Sequence, residues 1–207
     1  MQDRRHTIVA REGIPFLLIA AIACGLALHF LDLTYALSAA GLFVLLYLVF
    51  HDPSRDVPAV PLGVVSPVDG RVVFVEPTDK GVLQGEAQRI LLRINAFGTY
   101  TARSPVEGKI MDLRTVNDHR AIDQTNALWI QTDEGADVIL QFRGHRIGLA
   151  PRAFLRIGER VGQGQRCAYL RLTRFAEVHL PIAGKVLVAA GDRVVAGRDL
   201  IARLPHS

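Results

Sequence analysis

The chain changes its hydrophobic rhythm once. From Gly13 to Phe50 it reads GIPFLLIAAIACGLALHFLDLTYALSAAGLFVLLYLVF, with one acid, Asp32, and one polar break around His29 and Thr34. Divided there, it gives two apolar runs of about 17 residues, each about 25 Å long as a helix and near the short limit for crossing a bilayer. The pattern predicts a membrane anchor over residues 1–50, a hairpin of two transmembrane helices turning at LDLT. Arg4, Arg5 and Arg11 precede the first run, Arg55 follows the second, and the turn carries no Lys or Arg. The positive-inside rule then places both ends, and the rest of the chain, in the cytoplasm. Two other readings compete. ALSAAG resembles a signal-peptide cleavage site, although a second long apolar run follows it; the pair could also be a helical hairpin buried in a soluble core.

Residues 51–63, HDPSRDVPAVPLG, are rich in Pro and charge and read as a linker. Beyond them the period becomes two. GRVVFVEP, GKIMDLRT, ALWIQT, ADVILQF, AYLRL, EVHLP and GKVLVAAG are short β-type runs, many bounded by Gly, Pro or Asp. No helical stripe occurs past residue 60, which predicts an all-β domain over 64–207. Segments also recur within it. SPVDGRVVFV (66–75), SPVEGKIMDL (104–113) and LPIAGKVLVA (180–189) share a Pro, then a Gly, a basic residue and a strand. IGERVGQGQRCAYL (157–170) and AGDRVVAGRDLIARL (190–204) share Gly-acid-Arg-Val, a further Gly and an apolar strand. Each Gly-acid pair suits a tight turn with positive φ. The expected architecture is a small barrel-like sandwich, of the kind also used by lipoyl and biotinyl carriers.

Composition adds little. The formal charge of +4 is almost wholly arginine, Lys80, Lys109 and Lys185 being the only lysines. Such a charge fits anionic headgroups, nucleic acid or merely a soluble surface, and at +4 it decides nothing; no nucleic-acid partner is expected. Two cysteines, Cys24 and Cys167, fall in different parts of the chain, so a disulfide framework is not expected and a reducing compartment is natural. No Cys or His pair has metal-ligand spacing. A carrier module would need a lysine at a hairpin tip, and Lys80 in EPTDKGV is the only candidate, but Pro77 interrupts that tip. A membrane-fusion adaptor would need a coiled-coil hairpin that the chain lacks.

A more specific likeness spans the chain. REGIPFLL, the double apolar segment, VFHDPSRDVP, VVSPVDGRVV, SPVEGKI and HLPIAGKVLVAAGDRVVAGRDLIARL together resemble the short, membrane-anchored phosphatidylserine decarboxylase proenzymes, collinearly from about Arg11 to Leu204. The resemblance implies a pyruvoyl enzyme: a Gly-Ser pair cleaves itself, and the serine becomes a keto-acyl cap that serves as an electron sink for loss of CO₂. It further implies that a histidine oriented by an aspartate activates that serine.

Carried over residue by residue, the aspartate falls on Asp69. The histidine position, shortly before SPVEG, holds Tyr100. Aligned on Leu180-Pro181, the Gly-Ser pair falls on Thr173-Arg174. Arginine has no hydroxyl from which to make a pyruvoyl group, and tyrosine is a poor base at neutral pH. Thr173 would give a ketobutyryl cap and lacks a nearby histidine. His145, in FRGHRIG, reads as a surface turn, and His179 as a partly exposed strand residue. Asp69 itself lies in Pro-x-Asp-Gly, which is good turn chemistry without any catalytic role. The expectation is therefore a non-catalytic relative in the cytoplasmic membrane, with no cofactor because the serine precursor of the pyruvoyl group is absent. Arg103, Arg143 and Arg174 would be its contacts to an anionic phospholipid headgroup. Its partners would be membrane phospholipid and a second copy or an active decarboxylase. An active lyase making phosphatidylethanolamine is the alternative.

Overall fold

The structure is a computed structural model that describes residues 8–78, 86–116, 125–145 and 150–205. Lys80, Arg4 and Arg5, which enter the expectations above, lie outside them. The chain divides into two compact units, Met1–Ser54 and Arg55–Ser207.

In the first unit a 3₁₀ turn at Arg11–Gly13 leads into α1 (Ile14–Phe30), with a proline in its first turn, and α2 (Leu33–Phe50) returns antiparallel after Asp32. Proline is accepted there because the first helical N–H groups have no intrahelical partner. The two helices bury alanines, Ala20, Ala27 and Ala36, and leave the large side chains outside: Ile19 is 66% exposed and Leu37 65%. A hairpin in a soluble core would do the reverse, whereas small residues between helices and branched apolar residues facing outward suit lipid. Both helices are long and apolar enough to cross a bilayer. The open end is tied by main-chain bonds from Ala10 N–H to Phe50 O (2.9 Å) and from Asp52 N–H to Ile8 O (2.8 Å).

The second unit contains strands and no helix among its described residues. Its first half comprises β1 (Gly63–Val65), β2 (Gly70–Thr78), β3 (Ala87–Ile94), β4 (Thr101–Arg103), β5 (Gly108–Val116), β6 (Thr125–Gln131) and β7 (Asp137–Arg143). Then come β8 (Arg152–Ala153), β9 (Arg160–Val161), β10 (Arg166–Tyr169), β11 (Phe175–Pro181), β12 (Lys185–Val186), β13 (Arg193–Val194) and β14 (Leu200–Arg203). They form one eight-stranded sheet, ordered β13-β2-β3-β11-β7-β6-β5-β9, and two three-stranded sheets, β1-β14-β12 and β4-β10-β8. The pairings are antiparallel, and no sheet closes into a barrel among the described residues.

One face of the large sheet makes the core. Ala176, Val178 and Leu180 on β11 meet Ile90 and Leu92 on β3 and Leu140 and Phe142 on β7, all essentially inaccessible. Strand β3 was not expected from alternation, because Ile90-Leu91-Leu92 runs three apolar residues together between arginines.

The recurring sequence segments are two halves of a pseudo-twofold arrangement. Ser66 and Ser104 each donate a side-chain hydrogen bond to the carbonyl two residues on, at Val68 (2.8 Å) and Val106 (2.7 Å). The two turns exchange main-chain bonds, Val65 N–H to Pro105 O (2.9 Å) and Arg103 N–H to Pro67 O (2.8 Å). Each serine carbonyl then accepts from a glycine N–H, Gly197 to Ser66 (2.7 Å) and Gly164 to Ser104 (2.8 Å). Those glycines have φ of 70° and 69°, in the left-handed region that glycine adopts without steric cost. A further pair of bonds matches, Leu204 N–H to Leu62 O (2.8 Å) and Leu170 N–H to Tyr100 O (2.9 Å). Repetition in the sequence is thus repetition of a hydrogen-bonded unit.

Candidate functional site

The turn between β10 and β11 is the centre of the site. Leu170 O accepts from Thr173 N–H (3.0 Å), closing a β-turn whose central residues, Arg171 and Leu172, have φ of 47° and 66°. Two successive non-glycine residues in the left-handed region are uncommon and cost energy. Thr173 is buried, and its hydroxyl is donated to Leu170 O. Arg174 follows on the exposed side, its carbonyl accepting from Ile94 N–H (2.8 Å) as β11 begins. Gly144, with φ of 72°, lets the end of β7 pass close by: a Cβ there would lie 3.3 Å from that of Arg174.

Hydrogen bonds join this turn to the other two positions singled out in the sequence. Leu170 N–H donates to Tyr100 O, and the Tyr100 ring stands 5.9 Å from that of Tyr169. The preceding residue, Thr99, donates its N–H to Asp69 Oδ2 (3.1 Å). Asp69, Tyr100 and Thr173-Arg174 therefore share one neighbourhood. The Asp69 carboxylate is fully engaged there: Oδ1 accepts from Ala196 N–H (2.8 Å), and Oδ2 also meets Arg55 at 3.0 Å. Its pseudo-twofold counterpart, Glu107 in the same kind of turn, is exposed. The turn thus forms without a bound carboxylate, and Asp69 serves something more, the joining of the linker and two loops around this site.

The remaining arginines differ in kind. Arg103 is 4% exposed and donates to Gly164 O (3.1 Å), with Gly197 closing over it. Arg143 is half exposed and places Nε 3.1 Å from Glu177 Oε2. Of these three, Arg174 is the one that is exposed and has no ion pair among the described residues.

Glu177 was not expected at all. It is 1% exposed on the side of β11 opposite the core, with His179 Nε2 at 3.1 Å, Arg143 at 3.1 Å and Arg89 at 3.4 Å. Burial pushes its carboxyl up, but His179, Arg143 and Arg89 outweigh this and hold it below the ordinary value. His179 is not the partly exposed strand residue that alternation predicts: it is 5% exposed and packs in this seam. His145 is half-buried beyond the end of β7. Cys167 is buried and its thiol is pushed up to about 12 by burial, which Arg103 only partly opposes. No group of three His, Cys, Asp or Glu side chains suited to a metal ion occurs among the described residues.

No family model matches the chain. A phosphatidylserine decarboxylase proenzyme of Burkholderia ambifaria is 31% identical over 208 residues, covering 96% of this chain and 97% of its own. The proenzyme of Nitrosomonas europaea is 36% identical over 214 residues, 95% of each, and that of Nitrosomonas eutropha 34% identical over 209 residues, again 95% of each. Among solved structures, the glucose permease IIA from Mycoplasma capricolum aligns with a TM-score of 0.43 at 19% identity, over 68% of this chain and 94% of that one.

Proposed function

Because the chain belongs to the phosphatidylserine decarboxylase family, we propose that it is a member that does not process itself and instead binds anionic phospholipid at the former reaction centre. The observation that carries this reading is the occupant of the processing position. Arg174 has no hydroxyl, and the adjacent Thr173 hydroxyl is buried and already donated to Leu170 O. The residues present do not fit a pyruvoyl group: Arg174 cannot yield one and Thr173 would give a ketobutyryl group.

What the centre offers instead is an exposed guanidinium. Arg174 presents a planar fork that suits phosphate or carboxylate. Arg143, half exposed and on the neighbouring strand, adds a second cation whose charge is partly spent on Glu177. Arg103, buried beneath Gly197, supports the loop rather than meeting a lipid. The β domain would lie at the cytoplasmic side of the inner membrane, and its barrel-sandwich-like fold would be that of the family. Pairing with a second copy or with an active decarboxylase would make it a regulator of phospholipid synthesis.

The intact mass of the purified full chain tests the first half of this reading. One species near 22.7 kDa is expected; a smaller chain beginning near residue 173 or 174 with a blocked keto-acyl end would overturn it. Binding tests the second half: in nanodiscs holding the full chain, Arg174→Ala should weaken the protection that an anionic lipid gives the turn, and unchanged protection would count against it. The names of the relatives favour a second reading, an active decarboxylase, and the same mass spectrum separates the two.

A further inference from the structure

A row of arginines crosses the outer face of the large sheet. Directly opposed residues run Arg193 on β13, Arg71 on β2, Arg93 on β3, Phe175 on β11 and Arg143 on β7. Cross-strand partners point to the same face, and this row lies away from the core because its neighbours Val72, Leu92, Ala176 and Phe142 fill the core. At about 4.8 Å per strand, the row spans about 19 Å.

Like charges set directly opposite each other are unfavourable in a sheet. Elsewhere on this face the cost is met within the chain: Arg89 pairs with Glu76 and Glu177, and Arg143 with Glu177. Arg71, Arg93 and Arg193 are exposed, and none has an acidic partner among the described residues. Three neighbouring guanidinium groups in register, left uncompensated, make a flat cationic strip that an external array of anions would complete.

We propose that this arginine ladder docks the β domain on the surface of a bilayer containing anionic phospholipid. The partner follows from the chain itself, since two helices long and apolar enough to cross a membrane tether the domain to a bilayer. A strip of three arginines on adjacent strands, about 10 Å long, meets more than one headgroup at once, and each arginine near an anionic surface should favour the docked state about fivefold, so three give roughly a hundredfold. The inference rests on Arg71, Arg93 and Arg193, which are distinct from Asp69, Tyr100, Thr173 and Arg174, and stands whether or not the Thr173 turn is catalytic.

The test uses the full chain in nanodiscs of phosphatidylcholine alone or with phosphatidylglycerol. A spin label is placed at Val73→Cys, on the exposed bulge of β2 two residues from Arg71, in a Cys24→Ala background; Cys167 is fully buried and silent. Collision of the label with a water-soluble nickel complex should fall several-fold in the anionic discs and recover at high salt, as screening requires. The combined Arg71→Glu, Arg93→Glu and Arg193→Glu variant should abolish the difference. Equal collision rates in the two lipids would overturn the proposal without recourse to any ladder variant. A response to added RNA but not to lipid composition would overturn it as well, in favour of a different polyanion.

Discussion

Glu177→Gln keeps the shape of the side chain and removes one buried charge from between three basic groups. In the native seam the carboxylate lies 3.1 Å from Arg143, 3.1 Å from His179 and 3.4 Å from Arg89. Breaking a buried ion pair by removing one partner costs about 3–5 kcal/mol. Here the side chains of Arg143 and Arg89 are 44% and 24% exposed, so both cations keep part of their hydration and the lower end, about 3 kcal/mol, is expected. For a unit of this size each kcal/mol moves Tm by about 2–4 °C, which gives a fall of about 6–12 °C. The pH dependence has a definite sign. The carboxyl of Glu177 is held below its ordinary value of 4.5, so its contribution is complete above that value and is lost as pH falls below it and through the lower folded-state value. The gap between wild type and variant should therefore be widest near neutrality and shrink in acid. Trp129, the single tryptophan, lies two strands from β11 and reports the melt by fluorescence. A Tm change under about 2 °C at neutral pH, or a gap that stays constant into acid, would refute the reasoning.

Three further outcomes follow from the geometry. A Cβ at Gly70 would lie 2.2 Å from Arg93 O and one at Gly108 2.3 Å from Gln131 O; Gly70→Ala and Gly108→Ala should each cost about 1–3 kcal/mol in thermal melts, while Gly25→Ala, with nothing within 4 Å, should be neutral. Asp69→Ala leaves the Thr99 and Ala196 N–H groups unpaired and should cost at least about 2 kcal/mol by denaturant titration, against under about 0.5 for the exposed Glu107→Ala. Cys167, buried and pushed up to about 12, should resist maleimide at neutral pH until the protein is unfolded, as mass spectrometry of the labelled chain would show.

Much of the architecture can be read from the residues. The break around His29 and Thr34 does divide two helices, and strands form over GRVVFVEP, GKIMDLRT, ALWIQT and ADVILQF. AYLRL, by contrast, is a strand only as far as Tyr169, and its Arg171 and Leu172 form the turn instead. GKVLVAAG likewise forms a ladder only at Lys185–Val186, with Leu187 N–H adding one more bond to Ile201 O. The Glu177 seam was invisible because alternation assigns every second strand residue to solvent. Glu177, His179 and Gln141 occupy such positions and are nonetheless buried. A Glu-x-His pair flanked by apolar residues was the available signal, but its meaning depends on Arg89 and Arg143, which arrive from other strands. The arginine ladder is equally non-local, since its members are far apart in sequence and only the register aligns them.

The reciprocal bonds between the Ser66 and Ser104 turns run from backbone to backbone, and even the bonds that unite Asp69, Tyr100 and the Thr173 turn are mostly main-chain. A scaffold fastened in this way is indifferent to most of the side chains it carries. If Arg174 stands where active relatives carry a serine, and Tyr100 where they carry a histidine, as proposed, those replacements break no strut. On that reading, a protein built this way can change the occupants of its reaction centre without loss of foldability, which opens the centre to selection for other tasks.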